Sequence, residues 1–185
     1  YGSRPFSIAS LPALAGRVVL VSGFSKAFAM TGWRVGYAAA PKEILDAILK
    51  IHQYTIICAP GFSQHAALAA LREGREDDFA VVAEMRAEYD RRRQYLYHSF
   101  CAMGLPVFEP KGAFYLFPSV RPTGLTGEAF AERLLEEERV AVVPGGAFGE
   151  SGLYHIRCSY AASMANLIEA TERIGRFVRR IKESN

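Results

Sequence analysis

The sequence predicts an α/β fold, and three observations carry that prediction. Apolar runs of strand length near residues 18–21, 35–40, 113–117, 140–143 and 154–159 alternate with longer segments whose apolar residues recur every three or four positions. Gly and Pro gather at the junctions between these segments, yet residues 76–103 contain neither. Half of the 185 residues are hydrophobic, enough to bury a core in one large domain or two small ones.

Taken in order, residues 1–16 read as loop, rich in Gly, Pro, Ser and Ala. Residues 17–22 alternate too little for a half-exposed strand, which suits a strand covered on both faces. After a turn, alternation over residues 33–37 sets Arg34 and Gly36 on one side and Trp33, Val35 and Tyr37 on the other. Pro41 opens a helix where its missing N–H costs nothing, with Ile44, Leu45, Ile48 and Ile51 as its apolar stripe. Pro60 and Gly61 break that pattern before an Ala-rich helix over residues 62–72. From 76 to 103, Phe79, Val82, Met85, Tyr89, Leu96, Phe100 and Met103 keep helical spacing, so one long helix of roughly 40 Å is expected, ended by Gly104.

Beyond it, residues 107–108 and 113–117 are strand candidates around a Pro110-Lys111-Gly112 turn. Thr126 caps a helix over 127–139, with Glu128 well placed in its first turn. A strand over 140–143, a Gly-rich turn over 144–149 and a strand over 154–159 follow. That turn lacks the Gly-Lys-Ser/Thr ending of a phosphate loop. Ser163 caps the last helix, which packs through Leu167, Thr171, Ile174, Val178 and Ile181.

Composition excludes several function classes. A net charge of +3 gives no electrostatic footprint for nucleic acid, and Arg91-Arg92-Arg93 reads as a solvated helix face. Cys58, Cys101 and Cys158 lack CxxC spacing and read as reduced, packed thiols. His52 and His65 are isolated, so no metal site is expected. No apolar run reaches the length of a membrane span and the start lacks a signal-peptide shape, so a soluble cytoplasmic protein is expected.

The chemistry concentrates in residues 22–37, SGFSKAFAMTGWRVGY. Lys26, preceded by Ser25, stands at the end of the expected buried strand, where a lysine is costly unless its charge is used. The bland alternative is a loop lysine in water, the usual state of lysines. Eight residues on stands Arg34. The string closely resembles the active-site segment of pyridoxal-phosphate-dependent aminotransferases of class I/II, the aspartate aminotransferase superfamily of fold type I. The resemblance implies that Lys26 forms a Schiff base with pyridoxal 5'-phosphate and that Ser25 and Arg34 bind its phosphate. Gly23 stands where the family often has a serine, removing one phosphate hydroxyl.

A second informative place is residues 154–159, YHIRCS. An arginine inside a short apolar strand needs an anionic partner. That partner is a carboxylate or a phosphate, and the bland alternative is an internal salt bridge with a glutamate of the small domain. The segment RCSYA resembles the family's Arg-x-Ser stretch, which implies that Arg157 binds the substrate α-carboxylate, a bidentate task suited to a planar fork. GAFYLFP, residues 112–118, resembles the family's pocket-lining stretch and would serve equally as core.

The resemblance covers essentially the whole chain and implies its organisation. Residues 1–62 would be the C-terminal part of the large cofactor-binding domain, 63–103 connecting helices, and 104–185 a small α+β C-terminal domain. Family members are about twice as long, and the aspartate, stacking aromatic and asparagine that engage the cofactor ring have no candidates here. The implied activity is amino-group transfer between an L-amino acid and a 2-oxo acid by the full-length enzyme, as a homodimer, with neither nucleic acid nor membrane as partner. A lyase or synthase of the same fold, or a catalytically silent binding module, are the alternatives. The isolated half is expected to be inactive and prone to self-association.

Overall fold

The computed structural model describes residues 1–184, which divide into two compact units, one of residues 4–85 and one of residues 1–3 with the chain from Arg86 onward. In the first unit, β1 (Leu20–Gly23) and β2 (Gly36–Ala39) form an antiparallel pair in which Leu20 faces Ala39 and Gly23 faces Gly36. The helices α1 (Lys42–Thr55) and α2 (Gly61–Glu76) follow, each preceded by a proline. A small core of Phe24, Met30, Val35 and Ala67 closes this unit.

Two expectations fail here. The first strand is shorter than residues 17–22 and is not covered on both faces: Val21 is 75% exposed. Within the described residues it has a single strand neighbour, so nothing supplies the shielding that a central strand enjoys. The stripe of α1 is likewise exposed, Ile51 at 70%. Its helical spacing is real, but burial depends on what packs against it.

The long helix is present but starts four residues later than expected. The helix α2 ends at Glu76 and α3 (Ala80–Ala102) begins after a three-residue break. Asp78 and Phe79 adopt left-handed φ values of 52° and 58°, and the Phe79 N–H donates to the Gly74 carbonyl, closing the terminus of α2 in a Schellman-type bond. Asp77 then caps α3 by accepting from the Ala80 N–H at 3.3 Å. The left-handed position is filled by aspartate, not glycine, so the usual stop signal is absent from the sequence.

The second unit, which takes in α3 from Arg86, continues with β3 (Tyr115–Leu116), α4 (Gly127–Glu138), β4 (Val143–Pro144), β5 (Ile156–Ser159) and α5 (Met164–Ser184). Its sheet is antiparallel in the order β3-β5-β4, with Tyr115 opposite Ser159, Leu116 opposite Cys158, and Val143 opposite Arg157. These strands are shorter than the apolar runs that announced them, and residues 107–108 join no strand. Thr126 caps α4 through the Ala129 N–H, and Ser163 accepts from Asn166 at the head of α5, as expected. All five residues of the α5 stripe are buried, against Phe100, Leu105, Leu116, Phe130 and Tyr160.

The arginine run is not a solvated face throughout. Arg93 is buried, bonded to Asp90 and Glu109 at 2.7 Å each and to the Pro110 carbonyl, with its guanidinium over the Tyr1 ring. Of the three thiols only Cys158 is packed, and burial pushes it up to about 12. Cys58 and Cys101 are exposed.

Candidate active site

The lysine segment folds as a tight loop between β1 and β2. After Gly23 the chain makes one helical turn, Phe28 N–H donating to the Phe24 carbonyl, and Ala29 ends it in a left-handed conformation at φ 52°. Met30 then donates back to the same Phe24 carbonyl, while Phe24 and Met30 plunge into the core. The two ends of the turn are therefore anchored by apolar burial, and Lys26, between them, is exposed. Lys26 is not lodged in a buried strand; the loop presents it.

Arg34 also departs from the expected alternation. It ends a short 3-10 turn (Thr31–Trp33) in a left-handed conformation, φ 50°, and the strand begins two residues later at Gly36. This single left-handed residue resets the register, so Arg34 is exposed while Val35 turns into the core. Thr31 joins the pieces: its hydroxyl donates to the Ser25 carbonyl at 3.0 Å, and its own carbonyl accepts from Arg34 Nη1 at 2.9 Å. Ser25, Lys26 and Arg34 thus share one hydrogen-bonded loop, and Thr31, which carried no signal in the sequence, is its tie.

The glycines at the mouth of the loop have a spatial reason. A Cβ on Gly36 would stand 2.8 Å from the Ser22 carbonyl oxygen, so the strands close only with glycine there. A Cβ on Gly23 would meet the Val35 carbonyl at 3.3 Å, tight but adjustable. Ser22, Arg34, Gly36 and Tyr37 border an open groove of about 600 Å³ against α1.

Arg157 belongs to the other unit. It lies half-buried on β5 and alternates with the buried Ile156 and Cys158, as the pattern required. Its guanidinium carbon lies over the Tyr115 ring at 4.5 Å and over the Phe148 ring at 4.7 Å. Among the described residues no carboxylate pairs with it, so the internal salt bridge is not what holds this arginine. The stretch GAFYLFP is core in part. Leu116 and Pro118 are fully buried, whereas Tyr115 meets Arg157 and Phe117 stacks on His155 at 5.1 Å with the rings 4° from parallel.

The donor set of the loop suits a phosphorylated aldehyde. A guanidinium with five N–H donors and a serine hydroxyl answer the phosphate, and a primary amine answers the aldehyde. Partners for the remainder of such a molecule are not among these residues, so the fit is to two of its ends. One unit thus carries a lysine on a loop between paired strands, and the other carries an arginine on a small antiparallel sheet with no carboxylate partner among the described residues.

Comparison with known proteins identifies the family. Residues 2–174 match the profile of the family described as aminotransferase class I and II, and the chain belongs to that family. It is 53% identical to a putative aminotransferase, YugH, of Bacillus subtilis, over 96% of this chain and 45% of that protein. It is 48% identical to an aspartate aminotransferase of Pyrococcus abyssi, over 97% and 46% of the two. Among solved structures it superposes on an aromatic aminotransferase from Pyrococcus horikoshii with a TM-score of 0.92 at 48% identity, covering 98% of this chain and 48% of that one. On an aspartate aminotransferase of Thermus thermophilus the TM-score is 0.88 at 39% identity, covering 95% and 44%. The fold is that of the aspartate aminotransferase type, and the chain spans about half the length of the relatives it matches. No helix among the described residues is long and apolar enough to cross a membrane.

Proposed function

We propose that this chain supplies the cofactor-anchoring loop and the substrate-carboxylate site of a pyridoxal-5'-phosphate-dependent aminotransferase. The complete enzyme, a homodimer, would move an amino group between an L-amino acid and a 2-oxo acid. The observation that carries the reading is the loop itself, in which Thr31 ties Ser25 to Arg34 with Lys26 exposed between apolar anchors.

In this reading Arg34 and the Ser25 hydroxyl hold the phosphate by charge-assisted bonds. Lys26 would hold the aldehyde end of that cofactor through its Nζ, and its amine would move the proton at the substrate Cα, as base and then as acid. Arg157 orients the substrate by gripping its α-carboxylate. Pyridoxal phosphate, when bound, supplies the electron-withdrawing ring that makes this Cα–H acidic.

The test is Lys26→Ala in the full-length enzyme. Losing the anchor and the base together should lower turnover by at least about 10⁴-fold. Because Lys26 is exposed, the melting temperature should hold. Near-wild-type turnover would remove Lys26 from the mechanism. Arg157→Lys should weaken amino acid binding far more than cofactor binding, and equal losses of both would make Arg157 structural.

A further inference from the structure

We propose that Tyr115 and Phe148 are positioning residues for Arg157. Their ring faces hold its guanidinium in place of a carboxylate and leave its charge for the substrate. This rests on Arg157 being the residue that binds the α-carboxylate.

A half-buried guanidinium has to be held by something, and at several other arginines of this unit the chain uses acids, although Arg121 too lies over a ring, that of Tyr154, at 3.9 Å. Arg91 and Arg92 bond Glu88, Arg93 bonds Asp90 and Glu109, and Arg176 and Arg180 bond Glu138. At Arg157 it uses two rings, at 4.5 and 4.7 Å from the guanidinium carbon. The two means differ in consequence. A carboxylate partner occupies the in-plane N–H donors and neutralises the charge, so an incoming carboxylate must compete with it. A ring face attracts the cation through its quadrupole and uses none of those donors. Rings therefore fix the position of the fork while its donor edge stays open to a bidentate ligand.

The backbone builds this clamp from both sides of β5. Tyr115 comes from β3, paired with Ser159. Phe148 comes from the 3-10 turn Gly145–Phe148 that directly follows β4, the strand paired with Arg157 on the opposite edge. Phe148 is itself braced: its ring meets Phe117 edge-on at 6.1 Å, and Phe117 lies parallel on His155. The turn is docked on β5 by the Gly145 N–H, which donates to the His155 carbonyl at 2.7 Å. Phe148 is 52% exposed, so the hydrophobic core does not explain its place.

The experiment compares Phe148→Leu, Tyr115→Leu and the conservative Tyr115→Phe in the full-length holoenzyme, beside Arg157→Lys. The measurements are KM and kcat for the amino acid and cofactor affinity from visible absorbance. A third is the single-turnover rate with the amine analogue that lacks the α-carboxylate. Each leucine variant should raise KM for the amino acid by roughly 5- to 30-fold. Tyr115→Phe should stay near wild type, and cofactor affinity and the amine rate should move by less than about twofold in every ring variant. An unchanged KM in Phe148→Leu, with Arg157→Lys impaired, overturns the clamp alone. An unchanged KM in Arg157→Lys overturns the carboxylate reading and the clamp with it. Parallel losses for amino acid, amine and cofactor would make the rings merely structural and would also overturn it. Phe148 is exposed enough to be replaced without unfolding, so the test does not depend on Tyr115→Leu being stable.

Discussion

Replacing Gly145 by alanine probes how closely the turn bearing Phe148 sits on β5. A Cβ at this position would stand 2.7 Å from the His155 carbonyl oxygen, and nearer still to the Gly152 carbonyl. Both are backbone atoms, so neither can rotate away as a side chain would. Overpacking of this kind costs about 1–3 kcal/mol, and weakening the bond from the Gly145 N–H to His155 adds about 0.5–1.5 kcal/mol. The expected loss is about 2–4 kcal/mol. The neighbouring Gly146→Ala is the control: its Cβ would meet nothing within 4 Å, so a change within about 0.5 kcal/mol is expected. Urea unfolding followed by near-UV circular dichroism reports the tyrosines of this unit, and the lone tryptophan, Trp33, lies in the other. Equal midpoints for the two alanine variants would refute the close-approach argument. In the full-length enzyme Gly145→Ala should also raise KM for the amino acid, because displacing the turn carries Phe148 away from Arg157.

Three further outcomes follow from particular contacts. Hydrogen bonds from Lys111 and then Arg93 hold the Glu109 carboxyl at about 2, against an ordinary 4.5. The folded state therefore binds fewer protons than the unfolded one in that interval, and the stabilisation is present above 4.5 and lost as pH falls toward 2. Glu109→Gln should flatten the acid limb of a melting-temperature profile; an unchanged limb would show the pairs to be idle. Asp78→Gly should stabilise by up to about 1 kcal/mol, because the left-handed position after α2 suits glycine, whereas Asp78→Val should destabilise. Thr31→Val removes the tie between Ser25 and Arg34. It should weaken pyridoxal phosphate binding by about 3- to 10-fold with little change in melting temperature.

The fold was legible where one element's own chemistry decided it. Thr126 and Ser163 cap their helices as their side chains allow, and the α5 stripe is buried because α3, α4 and the sheet lie within the same unit. Legibility failed where the outcome depended on a partner or on an unusual backbone. Val21 and Ile51 carry the pattern of buried residues, yet burial needs a second surface, and none of the described residues provides it. The break between α2 and α3 falls a few residues later than expected, at 77–79, because an aspartate and a phenylalanine, not a glycine, take the left-handed angles. Arg93 was misread for a related reason. Its partners Glu109 and Tyr1 are remote in sequence, and a run of three arginines gives no hint that one points inward.

The candidate residues divide along the same physical line. Lys26, Arg34 and Arg157 stand out because a charge in an apolar run is costly and asks for a reason. The groups that hold them in place do not stand out. Thr31 acts through a backbone carbonyl and a hydroxyl, which any loop threonine could offer. Tyr115 and Phe148 are aromatic residues in stretches that a core would equally use, and only the register of β5 between β3 and β4 brings them to Arg157. Each of these supports costs little to bury or expose, so selection for it leaves no anomaly in composition or spacing. Identity of the charged residues can therefore persist while the geometry that makes them useful changes. Arg157 would keep its place in the sequence if Phe148 became leucine, and only a measurement of carboxylate binding would reveal the difference.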